Sequence, residues 1–186
     1  MTVESSLGEA REKMHKAIAH LKEDLATVRT GRAAPSLLNR VTVEYYGAPA
    51  PLNQLASISV PEPRLLLIAP FDKTSISTIE KAIQSSDLGV TPSNDGNVIR
   101  LAFPPLTEER RKELVKTVHH RAEEGRVAVR NLRRHSKEEL EKLERESAIS
   151  EDDLKRAEKE LQKLTDQSVA EIDEIQRHKE QELMEV

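Results

Sequence analysis

The chain has 186 residues, 37% of them hydrophobic and 2% aromatic, with a formal net charge of -4, enough apolar matter for one or two small cores but not for one large globule. It has no cysteine, which excludes disulfides, a thiolate nucleophile and cysteine-bound metal and fits a reducing compartment. The N-terminus has no basic flank followed by an apolar run, and no stretch of about 18 apolar residues occurs, so the expected location is the cytoplasm.

Residues 1–30 hold ten charged side chains, 31–103 hold twelve, and 104–186 hold forty. Seven of the nine prolines and four of the six glycines (Gly31, Gly47, Gly89 and Gly96) fall in the middle segment, which marks it as turn-rich between two helical parts. In the first part Met14, Ile18, Leu21, Leu25 and Val28 recur at spacings of four and three and predict one helical seam, extended backwards by Leu7. Gly31 and Pro35 then read as a helix stop and a stiff turn. Val41, Val43 and Tyr45 alternate with polar neighbours and predict a strand that Gly47, Pro49 and Pro51 bring to an end. Further strands are expected at 56–60, 64–68 and 98–102, with a helix around Ile76, Ile79, Ala82 and Ile83. Asn94-Asp95-Gly96-Asn97 gives a hairpin turn signal.

The last part predicts two long helices. Leu114, Val118, Ala122, Gly125, Val129 and Leu132 form one stripe, continued by Leu140 and Leu143. Ser150 and Asp153 read as a capping box opening another helix, with Leu154, Ala157, Leu161, Leu164, Ile172, Ile175 and Leu183 along its seam. The expected fold is α+β: an elongated antiparallel three-helix bundle made from 1–30 and 105–186, with a small α/β domain inserted at 31–104. Two chain crossings are expected to join the domains, placing a hinge near 30–34 and 103–106.

Charge gives the functional lead. From Arg110 to Arg134 there are nine basic residues against three glutamates, whereas 135–186 has nine basic and seventeen acidic residues. A local positive field aimed at a polyanion is thus hidden in an acidic chain. His119, Arg126, Arg130, Arg133 and Lys137 follow one another at helical spacing, each one residue on from the apolar seam, and predict an exposed basic stripe. Guanidiniums suit bidentate phosphate contacts. With so few aromatics, stacking on splayed bases is not a general binding mode, and phosphates and RNA shape are the expected object. The bland reading is that the stripe pairs with glutamates of a neighbouring helix. His119 with Glu123, or His120 with Glu124, gives too few ligands for a metal. No phosphate-binding glycine loop and no nucleophile elbow is present, so no catalytic residue, cofactor or metal is expected.

Six motifs go further: Arg29-Thr30-Gly31-Arg32-Ala33; Tyr45-Tyr46-Gly47 with Pro51-Leu52; Leu106-Thr107-Glu108-Glu109-Arg110-Arg111; Val129-Arg130-Asn131-Leu132-Arg133-Arg134; Ile149-Ser150-Glu151-Asp152-Asp153; and Lys163-Leu164-Thr165-Asp166. In this order and spacing the chain closely resembles the bacterial and organellar ribosome recycling factors over essentially its whole length. The resemblance implies an L-shaped body of tRNA-like dimensions, with a three-helix bundle and a smaller β/α/β domain. It implies a factor that is not an enzyme and that, with elongation factor G and its GTP, splits post-termination 70S ribosomes into subunits. The rRNA-contact candidates are Arg29, Arg32, Arg110, Arg126, Arg130, Arg133 and Arg134, facing large-subunit rRNA. The hinge candidates are Gly31, Ala33, Ala34, Pro104 and Pro105. His135 departs from many relatives, which place an acidic residue there. A closed bundle implies a monomer; the competing readings are a self-associating helical adaptor and an RNA-binding module without recycling activity.

Overall fold

The computed structural model describes residues 1–185. By packing, the chain divides into two compact units, Met1–Leu25 with Val115–Gln181, and Ala26–Leu114 with the C-terminal residues from Glu182. The first unit is helical, built from most of α1 (Val3–Ala26), α4 (Glu108–Arg145) and α5 (Glu151–Met184). The second holds the sheets and the short helices.

In the helical unit most positions of the expected seams are buried, while Leu7, Leu132, Leu154 and Ile175 are half-buried. Met14, Ile18, Leu21 and Leu25 of α1, Val118, Ala122, Val129, Leu140 and Leu143 of α4, and Ala157, Leu161, Leu164 and Ile172 of α5 are all buried. At Gly125 an added Cβ would lie 3.5 Å from Leu21 and 3.6 Å from Ile172, so the stripe does pass through this glycine. The turn between the long helices is set locally. Ser147 has φ +58°, and Ala148 N donates to Leu143 O (2.9 Å), a left-handed helix end. The capping box follows: Asp153 N donates to Ser150 Oγ (3.1 Å) and Ser150 N to Asp153 Oδ2 (3.3 Å).

The small unit has a two-stranded sheet, β1 (Thr42–Tyr45) with β2 (Ala48–Pro51), and a four-stranded antiparallel sheet. The latter comprises β3 (Ala56–Glu62), β4 (Leu65–Pro70), β5 (Ser93–Asn94) and β6 (Ile99–Ala102) in the order β3-β4-β6-β5. Helix α3 (Ile76–Gln84) buries Ile76, Ile79 and Ile83 in a core with Val43, Leu66, Ile68, Ile99, Leu101 and Phe103. Strand β5 was not among the expected strands, and two further elements differ from expectation. Gly47, Pro49 and Pro51 do not end the strand pattern but make a hairpin: Tyr46 and Gly47 take φ +51° and +79°, and the prolines sit in β2 opposite Glu44 and Thr42. Proline is accepted there because β2 is an edge strand. A single helical turn, α2 (Leu52–Leu55), was also not foreseen.

Division by packing differs from division by composition. The small unit takes in Ala26–Thr30, the start of α4 and the last residues of the chain, whose Leu183 is wholly buried. Packing draws the borders between the units after residues 25, 114 and 181.

Candidate nucleic-acid interface

On α4 the buried seam fixes which way the arginines face. Val118, Ala122, Val129 and Leu140 are fully buried, and the residues one position on emerge along the α4–α5 side. The basic row behaves differently along its length. Arg126 is not exposed: its side chain is only 12% accessible, because Nε donates to Asp173 Oδ1 (2.8 Å), Nη1 to Glu123 Oε2 (3.1 Å) and Nη2 to Gln176 Oε1. At the other end Lys137 reaches Glu141 (3.8 Å) on its own helix and Glu158 (3.9 Å) on α5. His119 Nδ1 lies 3.0 Å from Gln176 Nε2. For the ends of the row, pairing with the neighbouring helix is the correct reading, and an exposed stripe running from Arg126 to Lys137 is not.

The middle of the row is open. Arg130 is 53% accessible and has one carboxylate contact, Glu123 Oε1 at 3.5 Å. Arg133 is half-buried and donates through Nη1 to Gln162 Oε1 (3.3 Å), and Gln162 is itself held by Asp166 (2.8 Å). Between α4 and α5 these residues line a groove of about 360 Å³ with Thr165 and Asp173. Arg134 is exposed on the adjacent position. Guanidiniums with one weak partner each keep donors available for phosphate oxygens.

The remaining candidates lie in the other unit and do not join this groove. Arg29 is half-buried; its Nη2 donates to Pro104 O, its guanidinium stands 5.5 Å from the Phe103 ring centroid, and its Nε has no acceptor. Burial, and then the charge of Arg110, lowers its pKa. Arg110 is exposed, pairs with Glu113 (2.8 Å), and sits in the first turn of α4, where its N–H is capped by Thr107 Oγ1 (3.1 Å). Arg32 is exposed. Among the hinge candidates, Gly31, Ala34, Pro104 and Pro105 lie outside regular structure, whereas Ala33 is buried and its N–H donates to Pro63 O (2.7 Å).

A family model, that of the ribosome recycling factor, matches residues 21–184. The chain belongs to the ribosome recycling factor family. Its relatives include ribosome-recycling factors of Shouchella clausii, 61% identical over 178 residues and 96% of each chain, and of Bacillus subtilis, 59% identical over 180 residues and 97% of each chain. That of Acidothermus cellulolyticus is 56% identical over 184 residues, 99% of this chain and 100% of its own. Two solved structures of the family share the α+β architecture. One is a solution structure of the ribosome recycling factor, TM-score 0.84 and 46% identical, covering 100% of this chain and 99% of its own. The other belongs to models for the T. thermophilus ribosome recycling factor and E. coli elongation factor G bound to the E. coli post-termination complex, TM-score 0.71, 49% identical and covering both chains completely.

Sequence reasoning missed the α5 wall of the groove, Gln162, Thr165, Asp166, Val169, Ala170 and Asp173. They recur turn by turn along α5, facing α4, and a helical wheel of α5 matched to that of α4 would have found them. No group of three or more His, Asp or Glu side chains suited to a metal occurs among the described residues, and no described helix is long and apolar enough to cross a membrane.

Proposed function

We propose that this protein, a monomer of the cytoplasm with no catalytic chemistry of its own, acts with elongation factor G and GTP to split post-termination ribosomes into subunits. The observation that supports this most is the full-length likeness to a family member described, with elongation factor G, by models bound to a post-termination complex. In this reading Arg130, Arg133 and Arg134 bind large-subunit rRNA through its phosphates, with Arg29, Arg32 and Arg110 as further contacts from the start of α4 and the segment before the small sheet. The bundle of 1–30 and 105–186 serves as a stiff lever, and the 31–104 domain moves about Gly31, Ala33, Ala34, Pro104 and Pro105. Irregular backbone at 27–34 and 103–107 supports a joint there. A helical adaptor is disfavoured because the long apolar seams are already buried within the chain.

The test is light scattering of purified post-termination ribosomes of matched source, with this protein, elongation factor G and GTP. A fall in scattering only when all three are present is expected; intact ribosomes under those conditions would refute the reading.

A further inference from the structure

We propose that Arg126 does not touch RNA but is a positioning residue that neutralises the flank of the arginine groove and keeps Arg130 available. The inference rests on the ribosome-binding reading of Arg130 and Arg133. The arginines differ within one row of side chains. Arg126 is nearly inaccessible and makes three polar contacts, whereas Arg130, one turn on, is half accessible with one contact at 3.5 Å.

Two of the carboxylates that flank the groove end on Arg126. Asp173 lines the groove itself and is 58% accessible, and Glu123 is 48% accessible. Left unpaired, both would repel an approaching phosphate, and Glu123, which already touches Arg130 as well as Arg126, would take Arg130 as its main partner. The planar fork of Arg126 answers both carboxylates at once and adds Gln176 Oε1. Gln176 is fixed in turn by Glu180 (2.8 Å) and contacts His119. A single ammonium cannot span that set. One guanidinium therefore ties α4 to α5 and screens two negative charges from the RNA side, and its own donors are spent on protein.

The experiment uses the full chain with Arg126→Met, which keeps the buried stem, and the charge-balanced double variant Arg126→Met/Asp173→Asn, with Arg133→Ala as the reference. Ribosome affinity is measured across a salt series, and thermal melting is followed for every variant. Arg126→Met is expected to bind about tenfold more weakly through one uncompensated charge at short range. The double variant should recover to within about twofold, with the salt slope of the unmodified protein retained, since no phosphate contact is lost. Arg133→Ala should instead flatten the slope by about 0.9, the value for one phosphate. A double variant as weak as Arg126→Met, with a flattened slope, would make Arg126 a direct RNA contact and overturn the inference.

Melting separates this from the parent reading. Arg126→Met should melt lower and Asp173→Asn should restore part of the loss, whatever the ribosome data show; no coupling between the two positions would overturn the clasp. If Arg133→Ala binds normally while the Arg126–Asp173 coupling is present, the ribosome-binding reading of the groove is what fails.

Discussion

In the helical unit the buried positions follow a single period along each helix, and four are hydroxyl residues: Ser6, Ser136, Thr165 and Ser168. In the small unit the buried core is apolar except for Ser75, and its edges are set by backbone bonds, Ala33 N to Pro63 O (2.7 Å) and Phe103 N to Arg64 O (2.8 Å). Two of these hydroxyls bond locally or across the seam, Thr165 Oγ1 on Leu161 O (2.8 Å) and Ser6 Oγ on Glu139 (3.2 Å). One unit is specified by periodicity, the other by turns and register.

The strongest way to break this comparison is to open each core in turn. Ile172→Ala in α5 and Ile79→Ala in α3, both fully buried, should each cost about 2–5 kcal/mol. Hydrogen exchange should show protection lost first in the unit that bears the substitution; equal loss in both would mean one shared core. Next in size, Arg133→Ala should weaken ribosome binding by about 1–3 kcal/mol through a lost charge-assisted contact while leaving the melting temperature unchanged. Tyr46→Asn should stabilise the small unit by about 1 kcal/mol, because asparagine tolerates the left-handed conformation that tyrosine occupies at φ +51°, as chemical denaturation would show.

Smaller still, Gly125→Ala should stabilise the helical unit by about 0.5–1 kcal/mol. Its Cβ would meet Leu21 and Ile172 at ordinary contact distance; a loss of stability would show the seam to be tighter than that. The least effect is expected from pH. The Asp95 carboxyl is held down to about 2, first by the N–H groups of Val98 and Asn97 and then by Arg100. A depressed carboxylate contributes stability above its ordinary value of about 3.9 and loses it as pH falls toward the folded value. Acid melting curves of Asp95→Asn should therefore converge with those of the unmodified chain as pH falls from 4 toward 2.

Much of this was legible in the sequence, for identifiable reasons. The seams of α1, α4 and α5 and the Ser150–Asp153 cap follow from spacing and short-range hydrogen bonding, which depend on neighbours in the chain. The hairpin at Tyr46-Gly47 was hidden because its prolines read as breakers, and only the edge position of β2 makes them acceptable. Of the basic row, read as one exposed stripe, Arg130 is exposed and Arg133 half-buried. The different role of Arg126 was not legible, since it depends on Asp173 and Gln176, 47 and 50 residues away on another helix. Leu183, read from spacing as the last position of the α5 seam, is wholly buried near the end of that helix.

The central claim is that the open arginines of α4 hold the protein on the ribosome while it is recycled, and the most direct measurement is subunit splitting by the Arg130→Ala/Arg133→Ala protein, with folding checked by melting. The account predicts that scattering stays high with elongation factor G and GTP at concentrations where the unmodified protein splits ribosomes, with an unchanged melting temperature. Splitting at the unmodified rate by that variant would contradict it.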